Sequence, residues 1–427
     1  MQNQNKRRQL FFTLCLAYIA TGIVTILPGP TLSLIAKHVR VPLDVAGWAF
    51  TASSLGFTGG VLVAGMISNR FGSKVLLMSG MATMGAMALL VPWTHSFPLL
   101  LASEFVLGIG FSFVDVSVNV IVTLAFHDVL GETMNNLHST FGFGALIGPL
   151  LLSLALQTLH EPTWAFAVGT VIAFLTFFLL LPQRVPTLAQ RSKGIEEKQA
   201  QRVITRRVLV QAALWLMALQ MFLYVGAEVS FGDWITTAIS QGAVVSLVIA
   251  APAATLFWLG LTIGRLLGAQ ALKHGLLSET RLLYISFIGG GMAGLLIAAF
   301  PNVLWLGFGV SLLVGLFFGP IFPSIMTIAS RRFVYALDTV SSVLFFSAGA
   351  SGIVIPVMVG VLIARAGIGW GMAVPAFICL LITIPFTLAM SKRLAAPAPS
   401  VLQLEDDVHT MTANKDGGAQ PTFPNAR

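Results

Sequence analysis

Twelve predominantly apolar runs follow one another along this chain, each long enough to cross the roughly 30 Å hydrocarbon core of a bilayer as a helix. They cover approximately residues 10–36, 45–67, 75–94, 98–126, 136–158, 163–183, 208–238, 243–272, 281–300, 302–330, 338–364 and 366–390. The spacing predicts an all-α polytopic membrane protein of twelve transmembrane helices. The first run is expected to be kept as span 1. Its apolar stretch exceeds the h-region of a secretory signal, and no small-residue cleavage site closes it.

Composition agrees with this. Hydrophobic residues make up 56% of the chain and charged residues 9%, and the mean hydropathy is +0.88. A soluble domain carries about a quarter charged residues. The 24 Lys and Arg against 16 Asp and Glu are scattered over short connectors rather than gathered on one polar face, so nucleic acid is not an expected partner. Cys15 and Cys379 both fall inside apolar runs and are expected to pack as small hydrophobes, not as a disulfide.

Lys and Arg are retained on the cytoplasmic side of a membrane, so their positions set the orientation. With Lys6, Arg7 and Arg8 inside, Arg70, Lys74, Arg184, Arg191, Lys193, Lys198, Arg202, Arg206, Arg207, Arg265, Lys273, Arg281, Arg331, Arg332, Lys392 and Arg393 also fall inside. Only Lys37, Arg40 and Arg365 fall in outward gaps. Both termini are therefore expected to be cytoplasmic, with anionic lipid heads as secondary partners of the excess charge. Short outward loops without Asn-x-Ser/Thr acceptors fit a bacterial inner membrane. The polar stretch 184–207 reads as a cytoplasmic linker between two six-helix halves, 1–183 and 208–390. The Pro-, Asp- and Gly-rich stretch 391–427 reads as a disordered tail.

A repeat about two hundred residues apart supports the two halves. Gly65 is followed by three residues and then Asn69, Arg70, Phe71 and Gly72; Gly268 is followed by three residues and then Leu272, Lys273, His274 and Gly275. Each copy sits where an apolar run meets a short basic loop, after spans 2 and 8. Twelve helices in two halves with this loop resemble the major facilitator superfamily over roughly residues 10–390. The resemblance implies close-packing and turn roles for Gly65, Gly72, Gly268 and Gly275. That family usually carries an Asp before the basic residue as part of a charged latch, and Asn69 and Leu272 stand there instead.

Glycine and proline inside the spans suggest where the halves move. Gly144, Gly148 and Pro149 on span 5 are mirrored by Gly349, Gly352 and Pro356 on span 11, and Gly264 with Gly268 and Gly315 with Gly319 repeat the theme. Small residues three or four apart allow close helix contact, and proline permits a bend. Dense packing alone is the other reading of the same residues.

Acids inside lipid are costly and call for a reason. Asp115 lies near the middle of span 4, and Asn119, four residues on, shares its face. Burial disfavours a charged carboxylate, so Asp115 is expected either to carry a proton as the cavity opens to water or to tie span 4 to a neighbour. Glu228 and Asp233 lie on span 7 in a stretch interrupted by Gly226 and Gly232, with Tyr224 and Trp234 nearby and Asp233 reaching toward the interface. Carboxylates and amides accept hydroxyl hydrogen bonds while ring faces cover the apolar side of a sugar. Trp234 equally suits an interfacial belt. Glu104, near the outer end of span 4, is expected to be solvated.

At these residues the resemblance narrows to the fucose, galactose and glucose proton symporter branch. The strings that carry it are Tyr224-Val-Gly-Ala-Glu228-Val-Ser, His138-Ser-Thr-Phe-Gly-Phe-Gly-Ala-Leu-Ile-Gly-Pro and Phe322-Pro323-Ser324. In that branch a span 4 carboxylate serves proton coupling and sugar contact, which the resemblance assigns to Asp115. The fucose permeases carry a second acid in span 1, and span 1 here has none, so the sugar class is implied more firmly than fucose.

The expected function is a proton-coupled secondary transporter of a small polar solute, most readily a sugar, working as a monomer by alternating access. Asp115 and Glu228 are the proton-coupling candidates; Asn119, Gln220, Tyr224, Glu228 and Trp234 are the solute-binding candidates. The alternative is proton-driven efflux of a drug or amphipathic metabolite, which the Gly-Pro pair of span 5 resembles. No cofactor is expected, since the proton gradient supplies the work, and no metal is expected. An enzyme is disfavoured: His-Glu-x-x-His, Gly-x-Ser-x-Gly and Gly-x-x-x-x-Gly-Lys are all absent from the sequence.

Overall fold

A computed structural model describes residues 2–126, 130–185, 205–333 and 336–391. The linker cations Arg191, Lys193, Lys198 and Arg202, and the tail from Lys392, lie outside the described residues. Among the described residues twelve helices are long and apolar enough to cross a membrane, and their order matches the twelve runs of the sequence. In lipid a backbone must satisfy its own N–H and C=O groups, which forces each run into helix.

Span 1 is where the sequence reading and the structure differ most. The expected 10–36 becomes two helical pieces, Gln2–Ile26 and Pro28–His38, with Leu27 between them still in α conformation. Pro28 and Pro30 have no N–H to give to the preceding turn, so the axis bends without ending. Thr31 eases the bend, its hydroxyl donating to the Leu27 carbonyl at 2.7 Å. Span 10 divides likewise at Gly319-Pro320, into Leu304–Phe318 and Ile321–Arg332. Span 7, by contrast, is one unbroken helix, Ala212–Gly242, and Gly226 and Gly232 do not interrupt it as expected. Gly226 instead admits the Ile355 side chain of span 11, leaving no room for a Cβ.

The packing repeats with a shift of six spans. In the first half span 2 (Trp48–Phe71) packs on span 4 (Phe97–Ala125), span 1 on span 5 (Leu130–Thr158), and span 3 (Ser73–Leu90) on spans 4 and 6 (Thr163–Leu180). In the second half span 8 (Pro252–Lys273) packs on span 10, span 7 on span 11 (Leu337–Ala366), and span 9 (Glu279–Ala299) on spans 10 and 12 (Ile368–Leu381). Glycines make the closest of these contacts. Gly56 and Gly108 bring spans 2 and 4 together backbone to backbone, and Gly264 and Gly319 do the same for spans 8 and 10.

The two loop motifs differ in what their glycines do. Gly72 and Gly275 take positive φ, 88° and 66°, and turn the chain as expected. Gly268 is pressed against Pro320. Gly65 is not a close-packing position: a Cβ there would meet nothing within 4 Å. Arg70 lies over the Phe71 ring, Lys273 is exposed in the last turn of span 8, and the Asn69 side chain lies outside the described ones. Lys74 does more than mark a side of the membrane, since its ammonium donates to the carbonyls of Leu181 and Gln183, both at 2.8 Å, and closes the end of span 6.

The halves meet through spans 2 and 11, spans 5 and 8, and spans 1 and 7. The Thr51 hydroxyl donates to the Ile353 carbonyl, that of Ser153 to Val248, and that of Thr255 to Leu146, while Gly29 rests on the Asp233 backbone and Gly47 on the Trp234 ring. All these contacts lie toward the end of the bundle remote from the linker.

Candidate functional site

Asp115 stands ten residues before the linker-side end of span 4, about 15 Å along the axis and close to mid-membrane depth. Its Oδ1 accepts a 2.8 Å hydrogen bond from the hydroxyl of Tyr18 on span 1. Asn119, one turn on, donates its amide to the Asp115 carbonyl at 2.7 Å and approaches both the Tyr18 oxygen and Oδ1 at 3.4 Å. The helical spacing read from the sequence thus becomes a contact. His138 of span 5 sets its ring edge-on to Tyr18, with centroids 5.4 Å apart.

The second half contributes Glu228 and Arg265. The Arg265 guanidinium lies 3.8 Å from Glu228 Oε1 and is partly exposed, while Glu228 is buried. Arg265 sits eight residues inside the end of span 8, roughly 12 Å from it. The expectation that it is a topogenic cytoplasmic cation is therefore corrected: the ion pair holds it inside the bundle. His138 lies within electrostatic reach of Asp115 and of Arg265, and one turn away Gly142 of span 5 lies against the Thr262 hydroxyl of span 8, so the two clusters lie at the junction of the halves.

The other candidates fall elsewhere. Tyr224 is fully buried and gives its hydroxyl to the Phe318 carbonyl at 3.0 Å, although it neighbours Glu228. Gln220 donates to the Pro385 carbonyl at 3.3 Å, where span 12 ends. Trp234 donates to the Pro356 carbonyl at 2.8 Å and packs on Phe50, Gly47 and Gly360, within the junction of the halves rather than at a membrane surface. Pro149 and Pro356 lie inside continuous helices, and Gly148 faces Ile23 of span 1 at ordinary packing distance. Glu104 is buried, not solvated, and Asp233 packs on Gly29 rather than reaching an interface.

Sequence reasoning missed Tyr18, His138 and Arg265 as site members. The rule applied to acids would have found Arg265, a lone cation inside the apolar run Leu-Gly-Leu-Thr-Ile-Gly-Arg-Leu-Leu-Gly. His138 opens the span 5 string that carried the resemblance. Tyr18 is one of only four tyrosines in the chain.

A family model described as Major Facilitator Superfamily matches residues 11–356. The chain belongs to that superfamily. Among relatives of this major facilitator protein, a Xenopus laevis protein named sodium-dependent glucose transporter 1 is 27% identical over 66% of this chain and 62% of its own length. The chain thus spans under two thirds of that relative. Among solved structures, a D-xylose-proton symporter superposes with a TM-score of 0.71 at 14% identity, covering 88% of this chain and 96% of that one. A single-residue variant of the E. coli fucose:proton symporter FucP superposes at 0.61 with 19% identity, covering 90% and 98%. At these identities the two structures establish the fold alone.

Proposed function

We propose that this chain is a sugar transporter, not an enzyme, which moves its solute by alternating access and couples that movement to protons through Asp115. The observation that carries the reading is the mid-membrane juxtaposition of Asp115, Tyr18, Asn119 and His138 from one half with Glu228 and Arg265 from the other. The relative and the two solved proteins, all named as sugar transporters, support the solute class.

Each group has a task in this scheme. Asp115 accepts neutral donors only, the Tyr18 hydroxyl and the Asn119 amide, so it can take up or release a proton without breaking an ion pair. Glu228 is held by Arg265 and offers its second carboxylate oxygen to sugar hydroxyls, with Asn119 opposite. When Asp115 is charged, the guanidinium can favour it through His138, drawing the halves together; when Asp115 is protonated, Arg265 stays with Glu228. Tyr224, Gln220 and Trp234 hold span 7 in place for this exchange. The linker-remote contacts of the halves correspond to a form closed on that side, which we assign as the outside, with both termini cytoplasmic.

The test is uptake into proteoliposomes of radiolabelled glucose, fucose and xylose under an imposed pH gradient. Accumulation of one of them, acid side outside, and its collapse on adding a protonophore is the expected result. Solute driven out of the vesicles by an inward proton gradient would replace symport with efflux.

A further inference from the structure

The indole N–H of Trp258 is a donor that the scheme above leaves idle. Trp258 stands six residues inside the linker-remote end of span 8, roughly 9 Å along the axis. It is 8% exposed, and among the described residues its Nε1 meets no acceptor. Trp234 shows the contrast, since its buried Nε1 donates to the Pro356 carbonyl at 2.8 Å. A buried N–H without an acceptor is uncommon, because it has given up water and gained nothing in exchange.

Geometry places this donor beside the site already described. Trp258 and Arg265 stand two turns apart on one stripe of span 8, and Glu228 and Gly232 stand one turn apart on span 7. Arg265 meets Glu228 at 3.8 Å, and a Cβ on Gly232 would stand 3.5 Å from Trp258 Cζ2. Cζ2 and Nε1 are bonded to the same ring carbon, so the N–H edge of the indole turns toward span 7, one turn beyond Glu228. Span 5 of the first half covers the same face of span 8. Thr255, three residues before Trp258, donates to the Leu146 carbonyl at 3.1 Å. Thr262, four residues after it, has its hydroxyl 3.4 Å from where a Cβ on Gly142 would stand. The indole is thus shut in by a contact between the halves, on the side where they are closed. Parting of the halves there takes span 5 away and leaves span 7, which belongs to the same half as span 8. The N–H then faces the opened cavity beside Glu228.

We propose that Trp258 donates its indole N–H to a hydroxyl of the solute in the form open at the end remote from the linker, and that this bond is lost when that end closes. The inference rests on the sugar reading above and adds a specificity-determining residue to it. A site built to donate to one hydroxyl rejects the analogue that lacks it. Loss of the bond on closure makes the site bind more weakly when it faces the linker side, which favours release there.

Three measurements on the full chain test this, with glucose, fucose, xylose and their monodeoxy analogues as probes. The rise in melting temperature with sugar first shows which of the three binds the purified wild type. One monodeoxy analogue of that sugar should bind about tenfold more weakly, as the loss of one hydrogen bond implies. In Trp258→Phe the parent sugar should fall to the affinity of that analogue, while the analogue binds as it does to the wild type. If every gap between parent and analogue persists in the variant, this site alone is overturned. If none of the three sugars raises the wild-type melting temperature, the sugar reading falls and this site with it. In the second, Trp258→Phe should raise KM for entry at the linker-remote face, measured in intact cells, by about tenfold and leave KM at the opposite face, measured in inverted vesicles, unchanged. An equal rise at both faces overturns the loss of the bond on closure. The third needs no variant to fold: in the wild type, bound sugar should lower hydroxyl-radical oxidation of Trp258, mapped by mass spectrometry, and leave that of the exposed Trp305 constant. A sugar that raises the melting temperature without protecting Trp258 overturns the site.

Discussion

Asp115 on span 4 and Glu228 on span 7 are carboxylates in the two halves of one pseudosymmetric bundle, and they are satisfied in opposite ways. Asp115 takes a hydroxyl and an amide, both neutral. Glu228 takes a guanidinium. A carboxylate stabilised by neutral donors can lose its charge and keep its neighbours, because a carboxyl group still accepts from a hydroxyl. A carboxylate paired with Arg cannot be neutralised without leaving a cation alone in low dielectric. The difference teaches which half suits proton exchange and which suits a fixed charge, although both groups are carboxylates inside the bundle.

The largest expected effect comes from removing the exchangeable group. Asp115→Asn keeps the shape and the hydrogen-bonding capacity but cannot titrate. Uphill accumulation in proteoliposomes should vanish, while exchange of labelled for unlabelled solute continues at a measurable rate. Accumulation equal to wild type would break the comparison at its root.

Arg265→Ala attacks the other side. It strands Glu228, and losing one partner of a buried pair costs roughly 3–5 kcal/mol, reduced toward ~1–2 kcal/mol here because the guanidinium is partly exposed and 3.8 Å away. Thermal unfolding in detergent should show the loss, and Glu228→Gln added to Arg265→Ala should recover most of it. A double variant no more stable than the single one would mean that the two groups are not coupled.

Tyrosine sharpens the contrast further. Tyr18→Phe removes a donor from Asp115, and a hydrogen bond to a charged group contributes about 1.5–3 kcal/mol. Proton-driven uptake should fall by about tenfold, one tenfold step being about 1.4 kcal/mol. Tyr224→Phe removes a hydrogen bond to the Phe318 carbonyl. It should lower the melting temperature while the ratio of driven uptake to exchange stays at the wild-type value.

Which of these features the sequence revealed follows from how local the cause is. Span number and order depend on the length of apolar runs alone, and they match. The Asp115–Asn119 contact needs only the rise and turn of one helix, so a spacing of four sufficed. The sequence reading took 10–36 as one run and drew no bend from Pro28; beyond it the helix resumes with the Thr31 N–H and hydroxyl both donating to the Leu27 carbonyl. Pairings between spans were not legible. Nothing in the neighbourhood of Arg265 in sequence names Glu228, thirty-seven positions earlier, and a cation eight residues from a helix end looks like a topology signal until the partner helix is packed against it. Trp234 misled for the same reason: an aromatic beside an acid suggests a sugar contact, but its N–H is already given to Pro356 on a helix more than a hundred residues away.

The smallest effect concerns two glycines that the repeat makes equivalent. Gly65 and Gly268 open the same motif in the two halves, yet a Cβ on Gly65 meets open space, whereas one on Gly268 would come within 2.9 Å of the Pro320 ring. Gly65→Ala should therefore be neutral or slightly stabilising, since alanine is the better helix former by up to about 1 kcal/mol. Gly268→Ala should cost about 1 kcal/mol, the lower end of the overpacking range, because a proline ring can yield by only a few tenths of an ångström before span 10 must shift. Comparing the two melting temperatures isolates packing from propensity, for the same substitution is made at the same motif position. Equal shifts would mean that spans 8 and 10 part as easily as span 2 meets its open face, and the closeness of the second half would not then be what holds Arg265 against Glu228.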